Sequence, residues 1–248
     1  MELYGLIGKK LGHSFSAKFF NDKFMREGID ARYALFEIPS ADSLPHLIEE
    51  HPDLKGLNVT IPYKQDVIPM LDSLTDSARE IGAVNTILVT HLPDGGVRLD
   101  GHNTDAPGFM EAIRPMLHSG CRRALVLGQG GASLAVIYAL RRLGIEVTKV
   151  SRTRKDDAIS YGDLNAGVMC EHQVIVNCTP LGMWPDTESC PDIPYDAITE
   201  EHVCFDLVYN PEVTEFMRRA SEHGATVSNG LEMLHNQAVL AWKFWNGL

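Results

Sequence analysis

A glycine-rich turn between a strand and a helix constrains this chain more than any other feature. The turn joins a predicted strand at residues 123–127 to a predicted helix at residues 132–143, and a second strand follows at residues 146–150. Its residues are Val126-Leu127-Gly128-Gln129-Gly130-Gly131-Ala132-Ser133. Glycines permit the tight turn and close approach of a pyrophosphate, and the helix N-terminus offers free N–H groups. The segment predicts a dinucleotide-binding unit, and a purely structural glycine turn is the alternative.

Short apolar runs alternate with amphipathic stretches from end to end, which is typical of an α/β protein. From Asp105 onward the alternation is more regular, with a helix predicted at residues 109–117 and a doubly wound parallel sheet after it. The last predicted helix, Leu231–Trp245, is apolar on more than one face, so we expect it to be buried and to return to the first part. We therefore predict two domains, residues 1–104 with 230–248, and residues 105–229.

Composition excludes several classes of function. The 248 residues include 22 Lys plus Arg against 33 Asp plus Glu, for a net charge of −11. The longest basic cluster is Arg152, Arg154 and Lys155, which is too small for binding nucleic acid or an anionic membrane. No apolar run reaches the roughly 18 residues of a membrane span, and the first residues do not resemble a signal peptide. We expect a cytoplasmic protein.

The five cysteines have no C-x-x-C spacing, so we expect reduced thiols and neither a disulfide framework nor a metal site.

The segment after the second strand of the dinucleotide unit indicates which cofactor is bound. It reads Ser151-Arg152-Thr153-Arg154-Lys155, with no carboxylate before Asp156. An acidic residue at this position would bind the ribose 2′-OH of NAD, whereas basic residues suit the 2′-phosphate of NADP. The sequence favours NADP, and a solvated basic loop is the alternative.

Other polar residues lie at predicted strand or helix ends. Ser14 and Ser16 precede or open a helix, where one of them serves as N-cap or both hold a carboxylate. Asn58 and Thr60 share one face of a strand that is followed by Lys64, which alone would be a surface lysine. Asn85 and the segment Asn103-Thr104-Asp105 add amide, hydroxyl and carboxylate groups, and Asp105 is either functional or a helix N-cap.

Together these stretches resemble shikimate dehydrogenase over essentially the whole chain. Six motifs occur in the family's order: Gly12-His13-Ser14-Phe15-Ser16, Asn58-Val59-Thr60-Ile61-Pro62-Tyr63-Lys64, Gly82-Ala83-Val84-Asn85-Thr86, Gly101-His102-Asn103-Thr104-Asp105, the glycine loop with Ser151-Arg152-Thr153, and Gly230-Leu231 to Gln237. The resemblance implies an N-terminal α/β substrate-binding domain and a Rossmann-like NADP-binding domain with the active site in the cleft between them. It implies NADPH-dependent reduction of 3-dehydroshikimate to shikimate, a step toward chorismate and the aromatic amino acids.

The resemblance also implies the roles of individual residues. Ser14, Ser16 and Tyr209 would bind the substrate carboxylate; Thr60, Asn85, Asp105 and Gln237 would surround the ring hydroxyls, with support from Asn58. Lys64 and Asp105 would be the catalytic pair that handles the proton. The cofactor would contact Gly128, Gln129, Gly130, Gly131, Ala132, Ser133, Ser151, Arg152, Thr153, Arg154, Asn177, Thr179, Leu207, Gly230 and Met233.

The chain departs from the family pattern at Ala17, where proline is usual, and at Gln129, where a small residue is usual. It also stops at Leu248, where many relatives continue with another helix. We expect either a monomer or a homodimer. Three other functions compete with the main one. They are a quinate/shikimate dehydrogenase that uses NAD or both cofactors, a catalytically silent NADP-sensing domain, and another two-domain NADP enzyme such as methylenetetrahydrofolate dehydrogenase.

Overall fold

The structure is a computed structural model that describes residues 1–12 and 14–248, and it contains two compact units. The first unit comprises Met1–Thr104 and Gln237–Leu248, and the second comprises Asp105–Asn236. The chain thus leaves the second unit at Asn236, seven residues beyond the limit of 229 that the sequence suggested. The extra residues belong there because Gly230 lies against the backbone of Leu207 and the Asn236 side chain donates to the Gly108 carbonyl (3.5 Å).

Strands and helices alternate along both units, which confirms the predicted α/β class. The strands are β1 (Glu2–Gly8), β2 (Ala31–Glu37), β3 (Leu54–Val59), β4 (Ser73–Leu74), β5 (Thr86–His91), β6 (Val97–His102), β7 (Arg123–Leu127), β8 (Glu146–Ser151), β9 (Ala158–Ser160), β10 (Val174–Asn177), β11 (Val203–Asp206) and β12 (Thr226–Ser228). The α-helices are α1 (Phe15–Glu27), α2 (Leu44–Glu50), α3 (Asp76–Ile81), α4 (Asp105–Ile113), α5 (Gly131–Arg142), α6 (Ala166–Glu171), α7 (Glu215–Glu222) and α8 (Leu231–Trp245).

The sheet of the first unit is mixed, with the strand order β2-β1-β3-β5-β6-β4. β1 pairs in parallel with β2 and β3, and β5 runs antiparallel to β3 and β6. β1 is buried on both faces because its side chains alternate between two apolar cores. Leu3 and Ile7 pack with α2 and β3 on one face, and Tyr4 and Leu6 pack with α1 and the end of α8 on the other.

Trp245 closes the second of these cores. Its ring lies 5.0 Å from the ring of Tyr4 and 5.2 Å from that of Phe20, and its indole N–H donates to the Ile87 carbonyl (3.0 Å). The ring lies so close to β3 that a side chain at position 56 would collide with it, and Gly56 avoids this collision. The polar edge of the indole is therefore satisfied while its apolar surface is buried.

The sheet of the second unit is entirely parallel, with the order β12-β11-β10-β7-β8-β9. The chain proceeds from β7 outward to β9, then returns to β10 on the other side of β7 and continues to β12. This reversal makes a doubly wound sheet whose switch point lies between β7 and β10. Ligands bind such sheets at the carboxyl ends of the strands beside the switch point.

The structure corrects the sequence-based elements in a few places. α4 begins at Asp105, four residues before the predicted start, because Pro107 falls in its first turn, where proline is tolerated. It ends at Ile113, and a 3-10 turn at Arg114–Met116 follows because Pro115 does not continue an α-helix. The short elements β4, β9 and α6 were not predicted, since two to six residues carry no clear periodicity.

Within the described ranges, no helix has the length and the apolar character that spanning a membrane requires. The five cysteines all carry free thiols. No cluster of three or more His, Cys, Asp or Glu side chains with the geometry of a metal site occurs among the described residues.

We expect Gly56→Ala to destabilise the protein by about 1–3 kcal/mol, the usual cost of overpacking a core. A Cβ at this position would lie 2.5 Å from Nε1 of Trp245, whose ring is held by a hydrogen bond and by neighbouring rings. Urea unfolding measures the change. Gly162→Ala is the matched control, because its Cβ would meet only Ser160 Oγ at 3.7 Å. Equal effects of the two substitutions would contradict the packing assigned to Trp245.

Candidate active site

Three polar segments meet at one edge of the first sheet. Asn58, near the end of β3, pairs with Thr86 at the start of the antiparallel β5, and Thr86 pairs with His102 at the end of β6. The segments that follow β3, precede β5 and follow β6 are therefore neighbours. The segment after β3 carries Thr60 and Lys64, and the segment before β5 carries Asn85. The segment after β6 carries Asn103 and Thr104.

A buried hydrogen-bond network fixes the Asn85 side chain. The Thr104 backbone N–H donates to Asn85 Oδ1 (2.7 Å), which identifies that atom as the amide oxygen. Asn85 Nδ2 then donates to the Thr104 hydroxyl (3.0 Å). Asn58 Nδ2 donates to the Asn85 carbonyl and to the Thr86 hydroxyl, at 3.3 Å each. Because all of these side chains are buried, the network holds the Asn85 amide in one orientation.

The backbone around Thr60 and Lys64 is also fixed. The Thr60 N–H donates to the Ile7 carbonyl at the end of β1 (3.0 Å), and the Lys64 carbonyl accepts from the Val84 N–H (2.7 Å). Lys64 is half-buried and comes one turn after Thr60. Both residues are thus attached to the same sheet edge as Asn85.

Ser14 and Ser16 lie at the start of α1, with different surroundings. Ser14 is the N-cap, and its hydroxyl accepts from the Ala17 N–H at 3.4 Å. Ser16 is buried and hydrogen-bonds with Tyr33, whose hydroxyl donates to Asn58 Oδ1 (2.7 Å). The first turn of α1 contains no acidic residue, so its N–H groups suit an anion. His13 of the same motif lies outside the described residues.

Tyr33 joins the serine segment to the amide network and was not identified from the sequence. Burial raises the pKa of its phenol well above the usual range, and the hydrogen bond with Ser16 acts in the opposite direction. Tyr33 lies in the middle of β2, where an aromatic residue predicts only strand and core.

Gln237 and Asp105 stand at the limits of the two units. Gln237 is buried in α8 and is the first residue of the C-terminal part of the first unit. Asp105 is buried as well and is the first residue of α4, not its N-cap as one reading of the sequence proposed. Lys64 thus belongs to the first unit and Asp105 to the second.

The glycine loop of the second unit has the conformation of a dinucleotide loop. Gly128 has a φ of +105°, and a Cβ there would lie 3.1 Å from Thr179 Cγ2 and 3.2 Å from the Cys178 carbonyl oxygen. Gly130 caps α5 without a side chain, and the first turn of α5 carries no acid. Ser133 stands where a glycine or alanine is usual in such loops, and its buried hydroxyl donates to the Gly130 carbonyl (2.6 Å). The exposed N–H groups therefore fit a pyrophosphate.

The basic loop after β8 contains cations with different environments. Arg152 is exposed and forms no ion pair within the described residues, whereas Arg154 pairs with Asp163 (3.2 Å). The Ser151 hydroxyl donates to the Thr153 carbonyl and shapes the turn. Lys155 donates to the side chain of Gln129, so the unusual residue of the glycine loop is tied to the basic loop. This loop fits the phosphate of a 2′-phosphorylated ribose.

Asn177 ends β10 and organises the loop that follows it. Its Oδ1 accepts from the N–H and the hydroxyl of Thr179 (3.0 and 2.6 Å), and its Nδ2 donates to Asp206 Oδ1 (2.9 Å). The predicted residues Asn177 and Thr179 are therefore linked, and Thr179 in turn contacts the glycine loop.

Asp206 is a fully buried carboxylate that the sequence analysis missed. The Val208 N–H donates to its Oδ1 (3.0 Å), and the Thr214 hydroxyl donates to its Oδ2 (2.6 Å). Burial raises the pKa of this carboxyl to about 6, and the three hydrogen bonds oppose that rise. The sequence offers one indication of this residue, because Asp206 is an acid that directly follows the apolar run Val203-Cys204-Phe205.

The segment after β11 packs against the start of α8. A Cβ at Gly230 would lie 2.2 Å from the Leu207 carbonyl oxygen, so only glycine permits this approach. The Gly230 N–H donates to the Val208 carbonyl (3.1 Å), and Met233 is buried one turn later. Tyr209 is more than a third exposed, and partial burial raises the pKa of its phenol.

Known proteins match this sequence both within the first unit and along the whole chain. A family model described as the shikimate dehydrogenase substrate binding domain matches residues 6–87. The chain is 37% identical over 265 residues to the shikimate dehydrogenase (NADP(+)) of Carboxydothermus hydrogenoformans, covering 100% of this chain and 92% of that relative.

Solved structures are similar along the whole chain. The crystal structure of shikimate dehydrogenase from Aquifex aeolicus has a TM-score of 0.86 and 36% identity, covering 100% of this chain and 93% of that one. The enzyme from Thermus thermophilus in complex with NADP(H) and shikimate has a TM-score of 0.86 and 34% identity, covering 100% and 94%.

We expect the stability of this protein to fall as Asp206 ionises. The folded-state pKa of about 6 exceeds the ordinary 3.8, so protonation of Asp206 stabilises the fold below about pH 4, and this contribution is lost as the pH rises through 6. The shift corresponds to about 3 kcal/mol. Urea unfolding of wild type and Asp206→Asn at about pH 4 and pH 7 isolates the contribution of Asp206 to the free energy of unfolding. Only the wild type loses this contribution as the pH rises. A wild type that gains stability relative to the variant as the pH rises would contradict the raised pKa.

Proposed function

The chain belongs to the shikimate dehydrogenase family, and from this premise we propose that it catalyses the reversible NADPH-dependent reduction of 3-dehydroshikimate to shikimate. It is an NADP-dependent oxidoreductase that acts on a CH–OH group. The observation that carries the proposal is the hydrogen-bond network that fixes Asn85 at the edge of the first sheet. The second unit adds a glycine loop and a basic loop that suit NADP.

The second unit would hold the cofactor. The N–H groups at the start of α5 would bind the pyrophosphate, and residues 151–154 would bind the 2′-phosphate, with Arg152 as the available guanidinium. Asn177, Thr179, Leu207, Gly230 and Met233 would line the nicotinamide. The bound NADPH supplies the hydride.

The first unit would hold the substrate. We propose that Ser14 and Ser16, together with Tyr209, bind the carboxylate at the N-terminal turn of α1, whose dipole favours an anion. Thr60, Asn85 and Gln237 would bind the ring hydroxyls together with Asp105. The Asn85 amide suits this task because its neighbours hold it in one orientation before the substrate arrives.

Lys64 and Asp105 would handle the proton. The C3 ketone oxygen gains negative charge as the carbon is reduced, and an ammonium at Lys64 would stabilise that charge and donate the proton. The Asp105 carboxylate would orient the ammonium and accept from a neighbouring hydroxyl.

We also propose that the enzyme works in the cytoplasm as a monomer or homodimer. A reducing compartment keeps thiols free, and all five cysteines of this chain are free thiols.

A direct assay tests the proposed reaction. NADPH oxidation is followed with 3-dehydroshikimate and with dehydroquinate, and both assays are repeated with NADH. We expect the highest kcat/KM with NADPH and 3-dehydroshikimate. Higher efficiency with dehydroquinate and NADH would indicate a quinate dehydrogenase, and cofactor binding without any turnover would indicate a sensor domain.

We expect Lys64→Ala to lower kcat by roughly 10²-fold to 10⁴-fold, the usual contribution of a positioned acid, with a smaller effect on substrate binding. Steady-state kinetics and a thermal melt of the same sample measure both effects. Lys55→Ala in β3 serves as the matched control for loss of a lysine from the same unit. A folded Lys64→Ala enzyme with turnover within a few-fold of wild type would remove Lys64 from the mechanism.

We expect Arg152→Ala to lower kcat/KM for NADPH by about 10-fold to 100-fold while that for NADH changes little, because it removes a charged partner of the 2′-phosphate. Arg154→Ala should cost less, since its guanidinium already pairs with Asp163. Kinetics of both variants with both cofactors measure the difference. Equal losses with NADPH and NADH would mean that Arg152 supports the loop rather than the phosphate.

A further inference from the structure

The buried carboxylate of Asp206 connects loops that come from several strands of the second sheet. Asp206 is the last residue of β11 and pairs with Asn177, the last residue of β10. Its Oδ1 accepts from both the Asn177 amide (2.9 Å) and the Val208 N–H (3.0 Å). One carboxylate oxygen therefore holds the loop after β10 and the loop after β11 at the same point.

Each of these two loops is in contact with a further segment of the second unit. Asn177 Oδ1 holds Thr179, whose methyl group packs on Gly128 of the glycine loop. Val208, held through its N–H, accepts from the Gly230 N–H (3.1 Å). The carboxylate thus lies at the centre of contacts that reach the glycine loop on one side and the start of α8 on the other.

The other carboxylate oxygen has a separate partner. The Thr214 hydroxyl donates to Oδ2 (2.6 Å) and accepts from the Met217 N–H as the N-cap of α7 (3.3 Å). This contact supports a helix and touches neither of the two loops. It provides a natural comparison, because it can be removed while the Oδ1 contacts remain.

Stability alone does not account for an acid at this position. A buried charge costs free energy, and an apolar residue in the same place is often neutral or stabilising. The raised pKa of Asp206 reflects that cost. An acid is favoured here if its task is to hold two polar groups in fixed positions, since a carboxylate oxygen accepts two hydrogen bonds at once.

We propose that Asp206 is the positioning residue for the nicotinamide half of the cofactor, acting through Asn177 and the Val208 backbone. This inference rests on the proposed function, which places the loops after β10 and β11 against the nicotinamide. Asp206 itself touches neither substrate nor cofactor. Its loss should spare the adenosine half, which binds to the start of α5 and the basic loop.

Binding of whole cofactor and of its adenosine fragment tests this. Calorimetry with the full-length protein compares NADP⁺ with adenosine 2′,5′-bisphosphate, and steady-state assays give kcat. We expect Asp206→Ala to weaken NADP⁺ binding and lower kcat, each by on the order of tenfold or more, because displaced loops misplace the reacting groups. Binding of the bisphosphate should stay within about twofold, because the start of α5 and the basic loop, which would hold it, form no hydrogen bond with Asp206 or Asn177 among the described residues.

Two matched variants distinguish positioning from general support of the fold. Asp206→Asn should restore most of the kcat, because its amide oxygen still accepts from Asn177 and Val208. Thr214→Val should lower the melting temperature and leave both ligand affinities unchanged. Equal weakening of both ligands by Asp206→Ala, or unchanged kcat, would overturn the proposal.

A double-mutant cycle decides the matter if Asp206→Ala does not fold. The near-isosteric Asp206→Leu accepts no hydrogen bond, and an apolar residue is often tolerated in place of a buried charge. Its effect on the ratio of the two dissociation constants should shrink in an Asn177→Ala background, because part of that effect is transmitted through Asn177. An effect that persists undiminished would overturn the proposal. A wild type that binds NADP⁺ without reducing 3-dehydroshikimate would refute the proposed function, while the two affinities would still test the role of Asp206.

Discussion

Within each unit, the pairing of the strands determines where polar groups from distant segments of the chain meet. In the second sheet all strands point the same way, so the residues that follow β7, β10, β11 and β12 leave from one edge. In the first sheet β1 and β3 are parallel, and the antiparallel β5 begins where β3 ends. Loops far apart in sequence are thereby brought together without any long-range element of their own.

Both sheets use buried hydrogen bonds to fix these loops. In the first unit the network runs from Ser16 through Tyr33 and Asn58 to Asn85, and in the second it radiates from Asp206. Buried polar groups are costly when unpaired, and here each has a partner of suitable geometry. Such networks set the orientation of amide and hydroxyl groups before a ligand arrives, which reduces the cost of binding.

The sequence predicted the parts of the structure that depend on local patterns. The glycine loop and the bounds of α8 follow from glycine placement and apolar periodicity. The start of α4 was misplaced because the apolar pattern begins later than the helix does. Motif order, rather than periodicity, pointed to Lys64 and Asp105.

The residues that the sequence did not reveal are those whose role depends on strand register. Tyr33 resembles any core aromatic until β2 is paired beside β1 and its hydroxyl reaches Asn58. Asp206 resembles a strand-end acid until β11 pairs with β10 and places it beside Asn177. The pair of Gln129 and Lys155 likewise depends on how the loop after β8 folds back. None of these partners is encoded within a single segment.

The substrate-binding role that we propose for polar groups at strand and helix ends is tested most directly at Ser14, because Ser14 is also the N-cap of α1. The decisive measurement is the KM for 3-dehydroshikimate of the double variant Ser14→Ala/Ser16→Ala, with thermal melts alongside. The control is Asn165→Ala, which removes the N-cap of α6 in the second unit. We expect KM for 3-dehydroshikimate to rise on the order of tenfold or more, with KM for NADPH unchanged and a melting temperature no lower than the control's. A lowered melting temperature with an unchanged KM for 3-dehydroshikimate would contradict the proposed role of Ser14 and Ser16 and leave them as helix-capping residues.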